Sequence, residues 1–268
     1  MIEDPNRPDT QSPPYQDFDS TRPPIAPPEP QRALVSIPQT RPFVTYTLLG
    51  LNVLIYLLQL ASQSIYGVDL VAAMGLKANE LIVSGELWRL FTPMFLHGSI
   101  LHLGFNMYAL FIFGPGLERH YGHGRFIALF LLAGFAGNVV SFMFSEAPSL
   151  GSSTAIFGLL GAEGVFLYHN QRLLGGSARR ALNNIIVIAV INFMIGLQPG
   201  IDNWGHLGGL LGGTLFAWLG GPLLAVEGIY PDLRLADTRE PRQVFVAGVL
   251  DVLVFGALAF GTIYSRAG

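Results

Sequence analysis

Apolar residues along this chain gather into seven stretches of nearly equal length, separated by segments where charge, proline and glycine return. A hydrocarbon core about 30 Å thick takes roughly 20 helical residues to cross. Stretches 43–62, 100–117, 126–145, 152–169, 182–197, 204–224 and 244–264 fit that length. None alternates with period two over barrel-strand lengths. The pattern therefore predicts an all-α polytopic membrane bundle. Composition agrees: of 268 residues, 51% are hydrophobic and only 12% charged, and the mean hydropathy is +0.46, too apolar for an ordinary soluble domain.

Charge adds an orientation. With the N-terminus in the cytoplasm, the inner segments hold Arg22, Arg32, Arg41, Arg119, Arg125, Arg172, Arg179, Arg180, Arg234, Arg239 and Arg242, and the outer ones only Lys77, Arg89 and Arg266. Because positive residues stay inside, this bias predicts N-terminus in, C-terminus out and an odd number of spans in the cell membrane. A net charge of −3 and the lack of a basic stripe exclude a nucleic-acid partner. The chain has no cysteine, which removes thiolate metal sites and cysteine nucleophiles.

Segment 1–42 carries eleven of the 18 prolines and six acidic groups. Such a composition buries too little surface to fold, so it reads as a disordered cytoplasmic tail, without the features of a signal peptide or presequence. The next segment, 43–224, reads as a six-span core, 225–243 as a cytoplasmic linker, and 244–268 as a seventh span with a short outer tail. Between the first two spans, the loop containing Leu81-Ile82-Val83 and Leu87-Trp88-Arg89-Leu90-Phe91 is expected to lie in the outer interface. Trp88 would sit at the headgroup boundary and Arg89 would reach lipid phosphate or a loop carbonyl.

Polar residues inside or beside the spans are where chemistry is sought. In the first span Asn52 and Gln59 are the strongly polar members, and a structural helix at the edge of the bundle is the expectation. His102 and Asn106 are four apart and share a face near the outer boundary of the second span; His97 lies off that face and reads as a structural hydrogen bonder. Glu118 beside Arg119 reads as an ion pair or loop cap. The third span, with Gly134, Gly137 and Asn138, reads as packing. Glu163 and Asp251 are intramembrane acids that need a partner or a proton, and both are assigned structural roles. Asp202, four residues before His206, reads as a helix cap in preference to a group orienting the imidazole.

In this orientation Ser153 and His206 both open spans that start at the outer face, and so share a depth. The fourth span carries a small stripe (Gly151, Ala155, Gly158, Ala162) and the sixth another (Gly205, Gly209, Gly213), spacings that let two helices approach closely and bring Ser153 to His206. Peptide hydrolysis needs a nucleophile, a base, oxyanion donors and water. Ser153 at a helix N-terminus would be the nucleophile and His206 the base. The Ser153 amide with Asn106 and His102 would be the oxyanion donors, and Phe157, one turn after Ser153, would pack on the imidazole. No cofactor or metal is required.

Trp88-Arg89, His102-x-x-x-Asn106, Gly151-x-Ser153 and Gly205-His206-x-x-Gly209-x-x-x-Gly213, in this order on these spans, resemble the motifs of the rhomboid intramembrane serine proteases. The resemblance covers about 43–224. It implies a six-helix catalytic core with a Ser153–His206 dyad and an oxyanion site at His102 and Asn106, a seventh helix of the kind many rhomboids add, and as partners the bilayer and single-span membrane-protein substrates. Two positions depart from the pattern: Thr154 stands where many members have glycine, and Gly205 where many have alanine. Thr154 is expected to narrow the pocket beside the nucleophile.

Three rival readings are weaker. A catalytically silent rhomboid-like client binder keeps the fold but leaves Ser153, His206, Asn106 and His102 together without a purpose. A transporter using Glu163 and Asp251 lacks an inverted repeat. A zinc site at His97, His102 and His206 lacks His-Glu-x-x-His and an accompanying acid, and the Gly-x-Gly-Asp signature of aspartyl intramembrane proteases is absent.

Overall fold

The computed structural model describes residues 40–230 and 232–268. The disorder expected of the proline-rich tail lies outside the described residues, apart from its last three. In chain order the elements are α1 (Phe43–Tyr66), α2 (Leu70–Gly75), α3 (Asn79–Val83), two 3-10 turns (Leu87–Leu90 and Thr92–Phe95), α4 (Ile100–Phe144), α5 (Ser153–His169), α6 (Gln171–Leu174), α7 (Gly176–Ile195), α8 (Asn203–Gly220), β1 (Leu224–Glu227), β2 (Arg234–Asp237) and α9 (Pro241–Ala267).

By length and composition α1, α4, α7 and α9 are each able to cross a membrane. Helix α4 is 45 residues long, about 68 Å at 1.5 Å per residue and twice what one crossing needs. It breaks at Gly122, whose φ of 74° and ψ of 164° lie outside the helical region and are open to glycine alone at little cost. The second and third predicted spans are therefore its two limbs. Helices α5 and α8, of 17 and 18 residues, complete a six-helix core, with α9 as a seventh helix. This is a multi-pass, all-α membrane bundle.

Helix α5 runs through the middle, buried on nearly every face, and packs against α8 and the second limb of α4. The contact is backbone-close because the residues there are glycines. A side chain at Gly209 would collide with the Thr154 carbonyl, one at Gly213 with the backbone of Gly158, and one at Gly158 with Ala133 and the Gly209 carbonyl. Helix α7 is the loosest member, with Ala178 its only buried residue. Helix α9 lies along α4 and α8.

Helix α1 has reversed amphipathicity. Thr45, Asn52 and Gln59, seven apart, are buried, and Leu51, Leu54, Leu57 and Leu58 point outward. The expected edge helix is thus fastened inward by its polar stripe. Its N-terminus is held by Glu118, which accepts hydrogen bonds from the amides of Val44 (2.8 Å) and Thr45 (2.7 Å) and from the Thr45 hydroxyl (2.6 Å). The side chain paired with Glu118 besides Thr45 is His123, whose Nδ1 lies 2.6 Å away, not Arg119. A carboxylate at the positive end of a helix satisfies amides that have no intrahelical acceptor, a stronger demand than a neighbouring arginine exerts.

The expected linker 225–243 contains an antiparallel hairpin, with Leu224 opposite Asp237 and Glu227 opposite Arg234. Asp237 accepts from Arg125 at 2.6 Å, which joins the hairpin to the end of the bundle where α4 breaks. At the other end Arg266 of α9 pairs with Glu146 at 2.7 Å. That contact, together with the Asn79 amide, holds the Glu146 carboxyl down at about 2. Asp251 is buried on α9, and neither carboxylate oxygen has a hydrogen bond among the described residues, which leaves the proton of the two alternatives expected for it.

Candidate active site

Ser153 is the first residue of α5. Just before it Gly151 takes a φ of +136°, and its amide donates to the Pro93 carbonyl at 2.9 Å. Glycine is required there twice over, because a Cβ would also lie 2.6 and 2.7 Å from Cε1 and Nε2 of the His102 ring. The first amide of the helical ladder is that of Ile156, donating to Ser152. The amides ahead of it, Ser153 among them, are those that a helix leaves open to an anion.

His206 sits on the first turn of α8. Its Nε2 is 2.9 Å from Ser153 Oγ, and its ring stacks on Phe157 with centroids 4.2 Å apart and planes 10° from parallel. Nδ1 has no hydrogen-bond partner among the described residues, so no third side chain orients the imidazole by a hydrogen bond. Asp202 caps α8 instead, accepting from the Gly205 amide at 2.9 Å. His102, whose ring lies against Gly151, and Asn106 are one turn apart on α4. Asn106 is buried and its Nδ2 has no hydrogen-bond partner among the described residues. A buried amide nitrogen without an acceptor costs about 1–3 kcal/mol, and an oxygen of bound substrate would relieve that.

His97, in the loop ahead of α4, makes the side-chain hydrogen bond expected of it. It is buried, its Nε2 is 3.3 Å from Ser152 Oγ, and its ring meets that of His102 edge-on at 5.2 Å. Burial, reinforced by His102, pushes it down to about 3, so it is neutral at physiological pH. Gln59 holds its backbone from both sides, accepting from the His97 amide at 3.0 Å and donating to its carbonyl at 3.1 Å. The signal for this was the seven-residue spacing of Thr45, Asn52 and Gln59.

In the preceding loop Arg89 is buried and donates to the carbonyls of Leu76 (2.8 Å) and Ala73 (2.9 Å) while pairing with Glu86 (2.7 Å). Of its two expected partners it takes the loop carbonyl. Trp88 is half exposed and its indole donates to Met74 at 3.0 Å.

Thr154 does not narrow the opening beside Ser153. It points into the helix interface: a Cβ at Gly137 would lie 2.6 Å from Thr154 Cβ, and one at Gly205 would lie 3.0 Å from its Cγ2. The space that alanine would take at 205 is the space the Thr154 methyl uses. The two departures from the family pattern are one exchange of volume between α5 and α8.

The Rhomboid domain family matches residues 84–223, which carry Ser153, His206 and every glycine of the α5–α8 contact. The chain belongs to the rhomboid family. It is 43% identical over 178 residues to the Bacillus subtilis (strain 168) protein named Rhomboid protease GluP, an alignment that covers 66% of this chain and 34% of that one. It is 39% identical over 141 residues to RHOMBOID-like protein 6, mitochondrial, of Arabidopsis thaliana, covering 52% and 46%. With the Putative rhomboid protease YdcA of Bacillus subtilis it shares 34% over 140 residues, covering 52% and 69%. The chain thus spans about a third to a half of the length of the first two of these relatives.

Proposed function

We propose that this rhomboid is an intramembrane serine endopeptidase that cuts membrane proteins in or near a transmembrane segment with a Ser153–His206 dyad. The observation that carries this reading is the 2.9 Å approach of Ser153 Oγ to His206 Nε2, with the His102 ring against Gly151 two residues ahead of the serine. Two relatives carry the name rhomboid protease, which favours the same chemistry.

In the proposed reaction the imidazole takes the Ser153 proton as Oγ attacks the scissile carbonyl carbon. The new oxyanion is held by Asn106 Nδ2, the Ser153 amide and the His102 ring. His206 then passes the proton to the departing amine, leaving an ester on Ser153. Water, deprotonated by His206, attacks that ester and releases the new carboxylate. Phe157 keeps the ring in plane throughout. The substrate is a single-span protein that reaches the site sideways from lipid, and α7, the least buried helix of the core, is the gate. A helical peptide bond is shielded by its own hydrogen bonds, so small residues with glycine or proline nearby mark a cleavable segment.

The test uses the full chain in detergent with a single-span reporter substrate and a fluorophosphonate probe. The wild type should cleave the reporter and label at Ser153. Ser153→Ala should do neither, and His206→Ala should lower both by at least about 10³-fold with folding intact. Full cleavage by Ser153→Ala would remove the serine mechanism, and a folded wild type that neither cleaves nor labels would leave a client binder.

A further inference from the structure

Ser153 and His206 stand on different helices, and the 2.9 Å between them is kept by whatever fixes α5 against α8 at their outer ends. The segments leading into the two helices converge on the last turn of α4. Ahead of Ser153, Ser149 forms a two-way backbone bridge with Lys77, amide to carbonyl at 2.9 Å and 3.2 Å. Lys77 is fully buried, and its Nζ donates to the Ser145 carbonyl at 2.7 Å and to that of Ser141 at 3.4 Å, closing the C-terminal end of α4. Ahead of His206, Asp202 caps α8 through the Gly205 amide, and its other carboxylate oxygen accepts a hydrogen bond from Ser141 Oγ. The Asp202 carbonyl accepts from the His206 amide itself at 3.1 Å. The Ser141 hydroxyl is also 3.5 Å from Ser149 Oγ, so one residue touches both approaches.

We propose that Ser141 and Asp202 are positioning residues that hold α8, and with it His206, at working distance from Ser153, with Lys77 as their buried countercharge. This inference rests on the protease reading. Burial pulls Lys77 down, Asp202 and then Glu146 raise it and Arg266 lowers it, and the balance leaves it at about 8, so the ammonium is charged at neutral pH and its charge favours the carboxylate that caps α8. Charge, cap and hydroxyl together resist a slide of α8 along α4. Neither Ser141 nor Asp202 makes a hydrogen bond to the imidazole ring, so both act through the helix that carries it.

The experiment compares Ser141→Ala, Ser141→Thr, Asp202→Ala and Asp202→Asn in the full chain, reading kcat and KM for a single-span reporter, and the first-order rate and final extent of fluorophosphonate labelling. A misplacement of about 1 Å costs on the order of 10²-fold. Ser141→Ala and Asp202→Ala should therefore lower kcat and the labelling rate by about 10- to 100-fold, leave KM within about twofold, and still label completely. Ser141→Thr keeps the hydroxyl, and Asp202→Asn keeps an acceptor for Gly205 and offers an amide to Ser141. Each should recover to within about threefold of wild type, since each retains the tie. If Asp202→Ala does not fold, Ser141→Ala decides. Unchanged kcat and labelling rates in Ser141→Ala overturn the proposal. So does a loss seen only as a smaller labelled fraction, which is what a purely structural role would give. A folded wild type that neither cleaves nor labels sinks the protease reading, and this inference with it, before any variant is compared.

Discussion

His206 is held by contact on its face and by the backbone of its helix, while its outer nitrogen makes no bond. Stacking on Phe157 at 4.2 Å fixes the plane of the ring, and the cap at Asp202 fixes where the helix begins. The exchange of volume between Thr154 and Gly205 belongs to this same scale. Gly205→Ala should destabilise the protein, because its Cβ would press on the Thr154 methyl, while the same change in a Thr154→Gly background should be tolerated. A double-mutant cycle read by chemical unfolding in detergent should show a coupling of about 1 kcal/mol or more. Additive effects would mean that the two positions are independent. None of this pairing shows in the sequence, where the residues are fifty apart and each is only a small deviation from a pattern.

Among elements, α1 and α8 show how polar residues near span ends set register. Glu118 accepts from two amides and a hydroxyl of α1 and pairs with His123 Nδ1. Glu118→Ala leaves these donors without an acceptor and should cost about 2 kcal/mol or more in unfolding free energy, whereas Arg119→Ala should stay within about 0.5 kcal/mol. Equal losses in both variants would restore the adjacent pair that sequence order suggests. The glycine stripes on the fourth and sixth spans were legible in advance, because small residues at spacings of three and four can serve little else in a membrane helix. The inward stripe of α1 was equally visible at spacing seven, but Asn52 and Gln59 taken singly look incidental. It is the burial of Thr45 between Glu118 and the start of α1 that makes them one face.

For the whole molecule, the odd number of crossings expected from the sequence would put Phe43 and Arg266 on opposite sides of the membrane, and the arginine bias argues that the first side is cytoplasmic. The absence of cysteine makes this easy to test with single substitutions. In intact cells Gly268→Cys should react with a membrane-impermeant maleimide, and Thr40→Cys should react only after permeabilisation. The reverse pattern would invert the topology and put the Ser153 end on the inner side.

Span lengths, the glycine stripes, the family and the shared depth of Ser153 and His206 follow from the sequence alone, because the cost of exposing backbone or charge to lipid leaves the chain few alternatives. Which polar group meets which was decided only in three dimensions. Arg89 turning to loop carbonyls, His97 locked by Gln59, Thr154 filling the room left at Gly205, and Ser141 reaching Asp202 all join residues far apart along the chain. A hydrogen bond is specific to within tenths of an ångström, and only the packed bundle fixes distances that finely.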